Sequence, residues 1–174
     1  MKMYTDHFQT AIGASSGGRA IPMETIPEYE KWMRLALAEA VADENEVPVG
    51  AVIVKDGREI ARAHNEREGG DPTAHAEILA IRRAARALGT RHLHGCTLFV
   101  TLEMCPMCAG AALMAEIDRV VYGARDEKQG CLGSIYALGQ DAAFYHRFPA
   151  AGGVLEEECA RVLREFFERK RSGT

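Results

Sequence analysis

Three side chains with metal-ligand chemistry, His75 and the pair Cys105 and Cys108, lie on two separate segments, each at the predicted start of a helix. A fold that uses them together must bring two helix starts to one point. Cys105 and Cys108 are three residues apart, so in a first helical turn both sulfurs can face one side. The free N–H groups of that turn favour thiolate, and Pro106 is tolerated there. One imidazole and two thiolates suit tetrahedral Zn2+ with a fourth position open for water. A closed structural site would want a fourth Cys or His, and none is offered at comparable spacing.

Glu77 is the candidate catalytic group beside this metal. Hydrolysis at an amidine-like carbon needs a proton carried from water to a ring nitrogen and then to the leaving amine. Residues i and i+2 inside a helix point to nearly opposite sides, so His75 and Glu77 share a cavity only if His75 sits at the helix entry. Neither Cys-x-x-Cys nor His-x-Glu is specific alone. Together, each on a helix start, they point to a catalytic zinc. Cys96, Cys131 and Cys159 read as plain buried or half-buried residues, and His7, His64, His92, His94 and His146 are not spaced as ligands.

The hydrophobic pattern supplies the frame. Trp32, Met33, Leu35, Ala36, Leu37, Ala40 and Val41 recur at helical spacing and predict a helix from Glu28 to about Asp43. Val49 to Val54 and Glu59 to His64 form a hairpin across Asp56-Gly57. Asp71-Pro72-Thr73 is read as opening the next helix, capped by Asp71 or Thr73 and ended by Gly89. A buried strand (97–102), a small-residue helix (106–116), a strand (119–122) and a final helix (154 to about 169) follow. This order predicts an α/β fold: a three-layer α/β/α sandwich whose mixed central sheet is covered by helices on both faces. Residues 1–26, with Ala14-Ser15-Ser16-Gly17-Gly18, read as a flexible N-terminal arm, and 27–174 as the single domain. An organelle-targeting peptide is the weaker alternative for the arm, because Asp6 and Glu24 interrupt it.

Composition excludes several classes. With 47% hydrophobic and 26% charged residues the chain is globular rather than disordered. The apolar run from Met107 to Ala115 is half of a bilayer span, so no membrane helix is expected. Five cysteines make a poor disulfide framework. The start of the chain lacks an apolar signal core, and a reducing cytoplasm is the expected setting. A net charge of −4 and a pI near 5.9 exclude holding nucleic acid by bulk charge. Any such partner must be gripped by local patches.

Longer collinear runs accompany the metal motif: Val47-Pro48-Val49-Gly50-Ala51-Val52, Asp71 to Ile78, Thr101-Leu102-Glu103 with Cys105 to Ala111, and Gly123-Ala124-Arg125-Asp126. From about Tyr29 to Arg171 the chain resembles the bacterial tRNA-specific adenosine deaminases, within the cytidine/deoxycytidylate deaminase-like zinc superfamily. The resemblance implies a cytidine-deaminase-like fold and hydrolysis of the wobble adenosine of a tRNA anticodon loop to inosine, with release of ammonia. It implies that His75, Cys105 and Cys108 bind zinc and that Glu77 is the proton shuttle. It implies substrate contacts from Asn65, Ala76 and Asp126: Asn65 toward the edge of the flipped base and Asp126 near the ribose. It also implies a homodimer with tRNA touching both subunits. Met104 stands where the family usually has proline, a change that could reshape the pocket wall.

The residues leave the substrate more open than the resemblance does. Arg82, Arg83, Arg86 and Arg91, with His92 and His94, form a run without an acid, and read as a solvated face. Arg169-Lys170-Arg171 beside Phe166-Phe167 is more suggestive of a single-stranded loop, with Phe166-Phe167 as part of the core the equal alternative. A free-base or nucleotide deaminase of guanine or deoxycytidylate type is the alternative, its pocket closed by the C-terminal helix or by Phe144 to Phe148. A noncatalytic zinc module is the third reading, disfavoured because a scaffold has no use for Glu77.

Overall fold

A computed structural model describes residues 26–173. The arm predicted for 1–26 falls almost wholly outside them. The elements in chain order are α1 (Ile26–Ala40), β1 (Gly50–Lys55), β2 (Arg58–His64), α2 (Ala76–Leu88), β3 (Cys96–Leu102), α3 (Pro106–Met114), β4 (Arg119–Ala124), a 3-10 turn (Leu138–Gln140), β5 (Ala150–Ala151) and α4 (Glu156–Ser172). The five strands form one sheet in the order β2-β1-β3-β4-β5. β1 pairs antiparallel with both β2 and β3, whereas β3, β4 and β5 run parallel. The hairpin turns at Asp56 and Gly57, both at positive φ (49° and 68°), as a tight Asp-Gly turn requires.

Alternation along the strands divides the interior in two. Ala51, Ile53, Leu98, Val100, Val120 and Tyr122 point into one core with residues of α2 and α3. Val52, Val54, Phe99 and Val121 point into the other, against Trp32, Met33 and Ala36 of α1 and Cys159 of α4. This is the expected three-layer sandwich. No helix among the described residues is long and apolar enough to cross a membrane.

Local side-chain chemistry moves two boundaries from their predicted places, and a left-handed backbone residue moves a third. α1 stops at Ala40 rather than Asp43, where the Asp43 carboxylate accepts from the Asn45 backbone at 2.9 Å and holds a turn. Asp71 does not cap α2: its Oδ1 accepts from the Thr73 N–H (2.8 Å) and hydroxyl (2.6 Å), making a separate turn. The N-cap of α2 is His75. The last helix begins at Glu156, after Leu155 in a left-handed conformation (φ 53°). β5, two residues long beside Val120 and Val121, is too short to carry a period.

The topology places the functional region. β2 and β3 are both antiparallel to β1, so β2, β3 and β4 point the same way. Their carboxyl ends share one edge of the molecule, the usual ligand edge of such sheets. Asn65 directly follows β2, Cys105 comes shortly after β3, and Asp126 shortly after β4.

Candidate active site

His75 and Cys105 occupy equivalent positions, each the extended residue immediately before a helix (φ −73°, ψ 148° and φ −73°, ψ 170°). Neither side chain caps its own helix, so both are free to turn into the space between the two helix starts. Cys108, one turn into α3, is fully buried. The His75 Nδ1 lies 3.8 Å from Cys105 Sγ and 3.6 Å from Cys108 Sγ. All three ligand atoms fall within 4.8 Å of one another. Ligands at zinc–sulfur and zinc–nitrogen distances in a tetrahedron would stand about 3.5 Å apart. The three side chains therefore fit a zinc ion in both donor type and spacing.

The electrostatics agree. A hydrogen bond from the Cys108 thiol, aided by His75, pulls the Cys105 thiol down to about 4. That shared proton and burial hold Cys108 above its ordinary value. The hydrogen bond to Cys105 raises His75. A divalent cation would relieve this crowding by replacing the proton between the two sulfurs.

Glu77 is in the first turn of α2 and only 4% exposed. Its Oε2 has no hydrogen-bond partner among the described residues. Burial pushes its carboxyl up to about 7. An orphaned carboxyl oxygen beside three metal-type ligands is placed for a mobile partner, such as a reacting water or a substrate proton.

A cleft of about 660 Å³ opens over this group, lined by His75, Glu77, Cys105, Asn65 and Asp126 together with Arg67, Arg125 and Lys128. The structure thus brings together the site residues expected from sequence, with Cys108 directly beneath them. Ala76 contributes through its backbone: its N–H donates to Asn65 Oδ1 at 2.9 Å. Asn65 Nδ2 donates in turn to the Val47 carbonyl at 2.9 Å. Asn65 therefore spends half of its capacity tying the end of β2 to the start of α2. One N–H and one lone pair remain. Asp126 Oδ1 accepts from the backbone of Lys128 and Gln129 (2.9 and 3.0 Å), leaving its other oxygen for a ligand.

The residues missed in sequence are those that shape the far wall. Glu103 is buried and accepts from the backbone of Leu132, Ser134 and Asp126 and from the Ser134 hydroxyl. It fastens the segment after β4 over the cleft. Its place between the strand end and Cys105 was the available signal. Leu163 and Phe167 of α4 also line the cleft, so the C-terminal helix forms part of the wall. The Phe144 to Phe148 segment does not line it, and Phe148 is buried in the core.

Two sequence expectations change and one holds. Met104 is fully buried and packs in the core beside α2 and α3, not in the pocket wall. The basic run is the solvated face it was read as: Arg82, Arg83, Arg86 and Arg91 are exposed, and Arg83 meets Glu66 at 2.6 Å on the surface. His92 and His94, read as unrelated to metal, converge with Glu116 into a second group with ligand geometry. Cys96, Cys131 and Cys159 are buried free thiols, as expected.

A model of the cytidine and deoxycytidylate deaminase zinc-binding region matches residues 26–124. The tRNA-specific adenosine deaminase of Bacillus subtilis is 49% identical over 145 residues, which cover 82% of this chain and 90% of that protein. A structure from studies of A-to-I editing by tRNA:A34 deaminases superposes with a TM-score of 0.73 at 46% identity, over 76% of this chain and 99% of the other. A guanine deaminase structure from Bacillus subtilis gives a TM-score of 0.54 at 43% identity, over 55% of this chain and 64% of that one.

Proposed function

We propose that this chain, which belongs to the cytidine and deoxycytidylate deaminase zinc-binding family, hydrolyses the wobble adenosine of a tRNA anticodon loop to inosine and releases ammonia. The observation that carries the chemistry is the meeting of His75, Cys105 and Cys108 beside the unpartnered carboxyl oxygen of Glu77. His75, Cys105 and Cys108 would hold zinc, which supplies the Lewis acidity that makes water a nucleophile near neutral pH. Glu77 takes a proton from the attacking water and passes it to the ring nitrogen next to the reacting carbon. It then takes the second water proton and gives it to the amine. The C–O bond forms, the C–N bond breaks and ammonia leaves, so Glu77 ends as it began.

The other wall residues bind rather than react. Asn65, held at both ends of its amide, presents its remaining donor and acceptor to the purine edge. The free oxygen of Asp126 accepts from a ribose hydroxyl. Arg67, Arg125 and Lys128 stand among Asp126 and Glu127 in the cleft lining, single basic side chains that suit individual phosphates of a loop gripped locally. We place the enzyme in the cytoplasm, where thiolate ligands persist.

The chain also works as a homodimer on this reading. Met107 and Met114 lie seven residues apart on one face of α3, and both are exposed, Met114 by 76%. Ile135 and Tyr136 are exposed as well, on the segment that Glu103 fastens.

Substrate choice is tested by one assay. The zinc-loaded protein is incubated separately with an anticodon stem-loop, guanine and deoxycytidylate, and ammonia release is followed. Turnover of the stem-loop is expected; turnover of guanine alone would replace this proposal with the free-base alternative.

A further inference from the structure

We propose a second divalent-metal site, formed by His92, His94 and Glu116, at the opposite end of the sheet from the catalytic cleft. His92 and His94 flank Leu93, which is fully buried. The Cys96 N–H donates to the Leu93 carbonyl at 3.1 Å and closes a turn through His94 and Gly95, which leaves the His94 ring beside that of His92. Their rings lie side by side, 5.6 Å between centroids and 3° from parallel, so one ring turns about its Cβ–Cγ bond for both nitrogens to aim at a common ion. Glu116, just past the end of α3, brings its Oε2 to 3.1 Å from His92 Nδ1 and 3.0 Å from His94 Nε2. The three ligand atoms lie within 4.8 Å of one another.

Two features favour a shared cation over a pair of simple ion pairs. His92 Nδ1 is buried and, although 3.1 Å from the carboxylate, has no hydrogen-bond partner among the described residues. A hydrogen bond needs the oxygen on the line of the N–H, whereas ligands of one ion aim at a point off the line joining them. Tetrahedral ligands about 2.0 Å from an ion stand ~3.3 Å apart, close to both observed N···O separations. The backbone is also fixed on both sides. The Leu93 N–H donates to the Ala115 carbonyl at 2.7 Å, and the Asp118 N–H to the Cys96 carbonyl at 3.2 Å.

Two imidazoles and one carboxylate are borderline ligands, suited to Zn2+, Co2+ or Ni2+ rather than Mg2+ or Ca2+. The ion would clip the α2–β3 connection to the α3–β4 connection. β3 separates it from the catalytic zinc by roughly 20 Å, at ~3.3 Å per residue, so it takes no part in the deamination. Its role is to hold the two connections together.

The test uses tag-free protein already carrying its catalytic zinc. Zn2+ is titrated into it by calorimetry, and metal content and thermal midpoint are measured alongside. Wild type should take up a second equivalent and melt at a higher temperature with it. His94→Ala, at a mostly exposed position, and His92→Ala should each keep the first equivalent and lose both the second and the thermal gain. Retention of the first equivalent shows that a variant is folded. No second equivalent in wild type, or a second equivalent persisting in either variant, would overturn the proposal.

Discussion

The position of a single residue, His75, decides whether this chain has an active site. Asp71 and Thr73 satisfy one another in a turn, so the helix starts late and His75 is left outside it, in extended conformation. From there its ring meets the sulfurs, while Glu77, two residues on, enters the same space from inside the first turn. The motif was legible in sequence; the cap was not, because Asp71, Thr73 and His75 compete for that place and the outcome depends on local hydrogen bonding. The Glu77 carboxyl can be tested without disturbing the metal. Glu77→Ala should keep its zinc by elemental analysis and lose about 10²–10⁴-fold in kcat. Near-normal turnover in that variant would remove Glu77 from the mechanism. Asn65 was read as a base contact, yet half of its amide is already engaged, so it is also a positioning residue for His75 and Ala76.

At the scale of elements, close approaches explain residues that sequence could only match by likeness. Gly50 opens β1 directly beneath α1. A Cβ there would stand 2.0 Å from the Ala36 carbonyl oxygen and 2.6 Å from the Ala40 nitrogen, both backbone atoms that cannot swing aside. Gly50→Ala should therefore lower stability by roughly 1–3 kcal/mol or more, read from the urea midpoint at unchanged slope. α4 packs on the same layer through Cys159, whose thiol burial pushes from 9.0 up to about 12. The unfolded chain releases that proton near pH 9 and the folded chain only near 12, so the folded state holds one proton more in between. Stability should fall as pH rises through that window, by up to ~1.4 kcal/mol per pH unit from this group. Urea unfolding should lose stability more steeply in wild type than in Cys159→Ala between neutrality and pH ~10.5. The basic cluster 169–171 has an element-scale explanation as well: it ends a helix that begins with Glu156, Glu157 and Glu158, the charge order that the helix dipole favours.

For the molecule as a whole, one face remains unexplained by a lone protomer. Met107 and Met114 would both be covered by a second copy laid against α3. Met114→Glu should shift the protein to monomer in sedimentation velocity while leaving its zinc content unchanged; a dimer that persists would exclude this face. The molecule also separates two kinds of chemistry by sheet polarity. The carboxyl ends of β2, β3 and β4 carry the deaminase cleft, and the opposite ends of β3 and β4 carry the histidine pair and Glu116.

What the sequence determined by itself was local and periodic: the helix and strand alternation, the Asp-Gly hairpin, a sheet with helices on both faces, and a His-x-Glu and Cys-x-x-Cys pair on helix starts. These follow from side-chain spacing along a few turns, which a linear chain displays openly. Only the tertiary structure decided that Asn65, Glu77, Cys105 and Asp126 share one cleft, that Met104 is core, and that Glu103 fastens a distant loop. It alone joined His92 and His94 to Glu116. Such pairings depend on strand order and on which segment each turn delivers to an edge, and neither leaves a period in the sequence.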